Sequence, residues 1–153
     1  MSLGIDGQLL HEIGIAAMLH DMGKLFIPEE VLTKSGKLDK QEWELMKLHP
    51  LRGAQYLLST PGVPQLAVIT AFEHHLNYDL SGYPQVPVGW RQHLCSQMTT
   101  ISDFFDAMRS IRSYRESVEY DEVAAMMLEM SGKQLNPLLV KNFLGLLHKA
   151  TKI

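Results

Sequence analysis

His20 and Asp21 stand side by side and are followed by Met22, Gly23 and Lys24. An imidazole next to a carboxylate suits divalent cations, because the carboxylate can bridge two of them and the imidazole can bind one. Adjacent residues on a helix point about 100° apart, so both reach one site only near a helix end or a bend. Gly23 is expected to supply that end, since Gly is the usual residue just past a helix terminus. Lys24 then stands where it can hold or protonate an anionic phosphate. Further candidate ligands follow at long spacing: His49, the pair His74-His75, and Asp103, each on a stretch with helical character.

Around these candidates lie His49-Pro50, Asp79-Leu80-Ser81-Gly82-Tyr83-Pro84 just after the two histidines, and Asp103-x-x-Asp106. This combination resembles the HD-GYP family of metal-dependent phosphodiesterases, a branch of the HD superfamily, over about residues 9–143. The resemblance implies an all-α HD-domain bundle and a two-metal site. In that site Asp21 bridges, His20 and Asp103 complete one cation, and His49, His74 and His75 serve the other. Imidazoles with carboxylates suit iron or manganese, and zinc or nickel also fit such a set. The implied substrate is cyclic di-GMP, opened to the linear dinucleotide or cut to GMP. Asp21 and Lys24 are the implied catalytic residues, with Lys24 also pairing with a phosphate oxygen. Tyr83 carries over as a base or loop contact, and Asp106 as support for the ligands. Arg112 and Arg115 match positions that hold phosphate and guanine, a task that suits guanidinium geometry.

The chain also departs from the family pattern. Leu76 stands where a Glu usually follows the two histidines, Leu80 where a Gly usually follows the aspartate, and Gln97 where an Arg is common. A carboxylate at position 76 could orient an imidazole or a water, which leucine cannot do. An upstream helix bearing a Glu and a His has no counterpart here. Met1-Ser2-Leu3 reads as a vector-derived start, so a longer natural chain is expected. Two other readings follow. One is a catalytically silent module that senses a nucleotide or docks a signalling domain through the Gly-Tyr-Pro loop. The other is a different HD phosphohydrolase, acting on a nucleotide monophosphate or (p)ppGpp.

At 153 residues, with 46% hydrophobic and 20% charged residues, the chain fits one globular domain with a real core. A net charge of −3 does not point to DNA or RNA as the partner. The single Cys95 cannot form an internal disulfide, which fits a reducing cytoplasm. No apolar run approaches the ~18 residues that a membrane-spanning helix needs, and no signal peptide is visible.

The elements that must position the candidates read as about six helices. Asp6 caps a first helix over about 7–22, with Leu9, Leu10, Ile13, Ala16, Ala17 and Leu19 facing the core and His11 facing solvent. A short helix follows with Pro28 at its first position. Asp39 with Glu42 forms a capping box for a helix whose Trp43, Leu45 and Met46 face inward. His49-Pro50 ends or bends that helix, which continues over 51–58. Pro64 opens a helix with an apolar stripe of Leu66, Ile69, Ala71 and Phe72, and His74 and His75 sit at its C-terminal end, where the dipole favours cations. Residues 77–89 form a long irregular stretch of the kind that is often functional. A long helix over about 90–110 buries Ile101, Phe104, Phe105 and Met108. Asp103 and Asp106 share a face of it, and Asp103 is read as a buried acid. Helices over about 117–130 and from Asn136-Pro137 to about 148 complete the set, with His93 and His148 exposed.

Overall fold

The structure is a computed structural model and describes residues 6–110 and 118–150. It is all-α. Among the described residues the elements run α1 (Gly7–Leu19), a 3-10 turn (Met22–Phe26), α2 (Glu29–Leu32), α3 (Lys40–Met46), α4 (His49–Leu58), α5 (Gln65–Glu73), α6 (Leu94–Arg109), α7 (Tyr120–Glu129) and α8 (Pro137–Ala150). Six of these helices have nine or more residues, and the short α2 and α3 stand where the short helix near Pro28 and the helix capped by Asp39 were expected. Arg112 and Arg115 lie outside the described residues.

Several helix ends follow directly from local chemistry. Asp6 accepts a hydrogen bond from the Leu9 amide at 2.8 Å and caps α1. Asp39 accepts from the amides of Gln41 and Glu42, while Glu42 accepts from the Asp39 amide, which completes the capping box of α3. The Asn136 side chain accepts from the Leu138 and Leu139 amides and starts α8.

Two apolar clusters build the core. Ala16, Leu57, Leu66, Ala67, Ala71 and Cys95 join α1, α4, α5 and the start of α6. Ile101, Val123, Met127, Leu135, Leu139 and Val140 join the second half of α6 to α7 and α8. The long α6 therefore belongs to both clusters and ties them together.

Some expectations need correction. The first helix stops at Leu19 rather than residue 22, because the chain tightens there into the 3-10 turn. Leu9 and Leu10 are exposed, since α1 buries Ala16 and packs on α5 and α6 while its first turns stay in solvent. Trp43 and Leu45 are 45% and 37% exposed, because α3 is a short helix with no buried residue. Pro28 precedes α2, its ψ of 136° being extended rather than helical. The long helix starts at Leu94, leaving Trp90 in the preceding loop, and the helix after the arginine cluster starts at Tyr120.

Gly23 also has a different role. It is not among the glycines with positive φ. Instead it is buried where the 3-10 turn lies against the first turn of α4. A Cβ at Gly23 would collide with the His49 carbonyl oxygen and lie 2.7 Å from the Gly53 nitrogen, and one at Gly53 would lie 2.9 Å from the Gly23 nitrogen. Two facing glycines let these backbones touch, and this contact brings Asp21 up to His49. Gly23→Ala is expected to destabilise the fold by at least ~2 kcal/mol, because the atoms it meets are backbone and cannot rotate away. Gly14, exposed in α1 with open space around it, behaves oppositely. Gly14→Ala is expected to stabilise by ~0.5–1 kcal/mol through helix propensity. Urea unfolding of the two variants checks both signs.

Candidate metal centre

Each histidine of the site sits at a helix boundary, and three are oriented in one way. His20 closes α1, His74 closes α5, and His49 opens α4 directly after α3 has ended. The Nδ1 of His20 lies 2.5 Å from the Ala17 carbonyl oxygen, that of His49 2.8 Å from Met46, and that of His74 2.9 Å from Ala71. In every case the partner is the carbonyl three residues earlier. A carbonyl only accepts, so each Nδ1 carries a proton, which leaves Nε2 as the atom that can offer a lone pair.

Those lone pairs converge on Asp21. Its Oδ1 lies 3.4 Å from His49 Nε2 and 3.7 Å from His74 Nε2, and its Oδ2 lies 3.4 Å from His20 Nε2. His49 Nε2 and His74 Nε2 are 3.1 Å apart. Ligand atoms of Asp21, His49, His74 and His75 all lie within 4.8 Å of one another. Among the described residues, the buried His20 Nε2 and Asp21 Oδ1 have no hydrogen-bond partner. Lone pairs and carboxylate oxygens facing one another without a proton between them are unfavourable in a half-buried site, and a cation relieves the conflict. The residues present therefore fit a divalent metal.

The electrostatics agree. Burial opposes the charge on Asp21, but the adjoining His20 and His74 rings and the hydrogen bond and charge of Lys24 hold its carboxyl far below the usual range. Burial pushes His49 down to about 4 and His75 down to about 2, so both rings are neutral near pH 7. Burial alone would lower His20, yet the neighbouring Asp21 carboxylate and the Ala17 carbonyl raise it.

The remaining candidates surround this cluster. Lys24 Nζ is 2.6 Å from Asp21 Oδ2, in the same 3-10 turn. Asp103 Oδ1 is 3.9 Å from His20 Nε2, with a side chain 39% exposed, so it is not the buried acid expected. It is also outside the group of four that lies within one ligand span. Asp106 is exposed one turn further along α6. Tyr83 stacks on His75, with ring centroids 4.6 Å apart, and contacts the edge or face of Trp43 at 5.9 Å. Burial, with Asp21 and Asp103 nearby, keeps its phenol protonated.

Three positioning features are less visible in sequence. Glu73, just before the two histidines, is 2% exposed and fully bonded. It accepts from Trp90 Nε1 and the His93 amide at 2.8 Å, and from Ser96 Oγ at 2.7 Å. This carboxylate fastens the end of α5 to the start of α6. Thr100 on α6 then donates to the His74 carbonyl at 2.8 Å. Gly82, at φ 98°, lets the loop fold back so that the Tyr83 amide donates to the His75 carbonyl at 3.2 Å. The signal for Glu73 was an acid next to an apolar helix stripe, but its partners are 17 to 23 residues away.

The departures from the family pattern fall outside the metal cluster. Leu76 is 1% exposed and lines a small void with Gln97, Thr100 and Asn136. Position 76 thus packs between α5, α6 and the start of α8, rather than orienting an imidazole. Gln97 accepts from the Asn136 side chain at 2.7 Å. Leu80 has φ 66°, a left-handed conformation that costs a branched residue ~1–2 kcal/mol. Leu80→Gly relieves that cost but loses ~0.5–1 kcal/mol of chain entropy. The expected net effect is a rise in Tm of about 1–4 °C, measured by calorimetry.

The HD domain family model matches residues 1–139. The chain is 38% identical over 136 residues to the cyclic di-GMP phosphodiesterase response regulator RpfG of Xanthomonas campestris, covering 88% of this chain and 36% of that protein. It is 34% identical over 152 residues to a cyclic di-GMP phosphodiesterase of Thermotoga maritima, covering 99% of this chain and 41% of the relative. It is also 36% identical over 127 residues to the 3′3′-cGAMP-specific phosphodiesterase 2 of Vibrio cholerae, covering 82% and 24%. The chain thus spans roughly a quarter to two fifths of the length of these relatives. The chain belongs to the HD domain family and is of its HD-GYP type.

Proposed function

We propose that the protein is a metal-dependent phosphodiesterase that opens a cyclic dinucleotide such as cyclic di-GMP. The observation that carries this reading is the convergence of Asp21, His49, His74 and His75 within one ligand span. The relatives named cyclic di-GMP and 3′3′-cGAMP phosphodiesterases support the substrate class.

In this reading Asp21 would help hold two divalent cations, iron or manganese, with zinc or nickel as further candidates. His20 and Asp103 would contribute to holding one, and His49, His74 and His75 the other. Divalent cations supply Lewis acidity toward the phosphodiester and toward water. The chain's own residues do the rest. His49 and His75 stay neutral, and the Nδ1–H bonds of His20, His49 and His74 keep their Nε2 atoms aimed inward. Lys24, beside Asp21, meets the phosphate as negative charge grows on its oxygens. Tyr83, a protonated phenol, can donate a hydrogen bond to phosphate or base. Arg112 and Arg115 remain candidates for gripping phosphate and guanine, and Asp106 for supporting the ligands. Among the described residues no helix is long and apolar enough to cross a membrane.

A second reading is a catalytically silent nucleotide-sensing or partner-docking module. It is motivated by Leu76, Leu80 and Gln97, but neither Leu76 nor Gln97 belongs to the group of four. Hydrolysis of cyclic di-GMP with added manganese or ferrous iron separates the two readings. The expected outcome is turnover that falls at least ~100-fold in Asp21→Ala, with metal content lost in parallel, a larger effect than removing a supporting group. Metal and nucleotide binding without turnover in the parent protein favours the silent module.

A further inference from the structure

We infer that Trp43 is a stacking surface for one purine base of the substrate. The inference rests on the phosphodiesterase reading above and deepens it. Trp43 lies on α3, a helix with no buried residue, and the residue is 45% exposed. Its neighbour is the site itself. The indole meets Tyr83 at 5.9 Å with an interplanar angle of 82°, and Tyr83 stacks on His75 at 4.6 Å and 30°. Aromatic rings thus run from solvent to one of the four clustered ligands.

A perpendicular contact with Tyr83 covers at most one face of the indole. The exposed part of the residue is open to a ligand. The helix that carries Trp43 is held in place on both sides. The Asp39–Glu42 capping box fixes its start, and the His49 Nδ1 bond to the Met46 carbonyl ties its end to the metal cluster. A nucleotide whose phosphate sits at Asp21 must extend its base away from the cluster. An exposed indole two ring contacts from His75 is a surface on which a flat purine can stack.

Stacking is tolerant of base identity, because every base has a π-face. Trp43 is therefore expected to serve guanine and adenine alike, and to strengthen binding without choosing between cyclic di-GMP and 3′3′-cGAMP. The test uses the manganese-loaded protein and both cyclic dinucleotides. Trp43→Ala is expected to weaken binding, read as Kd by calorimetry and as KM, by about 5- to 100-fold for both ligands. Manganese content and inhibition by inorganic phosphate, which has no base to stack, should stay within about twofold. Trp43→Phe should recover most of the loss.

A spectroscopic signature accompanies these changes. The chain has two tryptophans, so Trp43→Phe leaves Trp90 as the only indole. Ligand should quench emission in the parent protein but not in Trp43→Phe. If the parent binds and Trp43→Ala binds as tightly, without quenching in the parent, Trp43 is no stacking surface and the phosphodiesterase reading stands. If the parent binds neither dinucleotide, both inferences fall together.

Discussion

The structure depends on one carboxylate that faces imidazole nitrogens instead of protons. Asp21 lies between the Nε2 atoms of His20, His49 and His74, at 3.4 to 3.7 Å. Each of those rings is locked by an Nδ1–H bond to the carbonyl three residues before it. The carbonyls are available because a helix has just ended or is ending, which leaves them without amide partners. Helix termination is therefore part of the site's design. An imidazole in mid-helix would find that carbonyl already used.

Bringing three helix boundaries to one point demands close backbone contact and firm anchoring. The Gly23–Gly53 contact seats the 3-10 turn on α4. Glu73 gathers Trp90, His93 and Ser96 at the junction of α5 and α6, and Thr100 holds the His74 carbonyl. The buried side chain of Glu73 is accommodated because both of its oxygens are bonded and the positive end of α6 lies beside it. Since α6 spans both apolar clusters, the same helix that carries Asp103 also joins the site to α7 and α8.

Much of this was legible in the chain. The caps at Asp6, Asp39 and Asn136 are local signals, and each appears where its side chain predicts. The all-α class followed from helical spacing, and the metal candidates from residue type. What the chain concealed depends on distant partners. Gly23 looked like a helix stop, whereas its actual neighbours are His49 and Gly53. Trp43 looked like core by periodicity, yet its short helix leaves it at the rim of the site. Leu76 looked like a lost catalytic carboxylate, but it is buried beside Gln97, a residue 21 positions later that periodicity cannot connect to it. Asp103 looked buried among apolar neighbours, although its side chain reaches partly into solvent.

The central claim is that His20, His49 and His74 are held as Nδ1–H tautomers with their Nε2 lone pairs turned toward Asp21. Long-range proton–nitrogen correlation spectroscopy of imidazole-labelled protein tests it most directly, first without metal and then with zinc as a diamagnetic probe. The account predicts protonated Nδ1 and unprotonated Nε2 in all three rings, with only the Nε2 resonances moving when zinc is added. Nε2–H tautomers in the metal-free protein, or zinc-induced shifts at Nδ1 instead of Nε2, would contradict it.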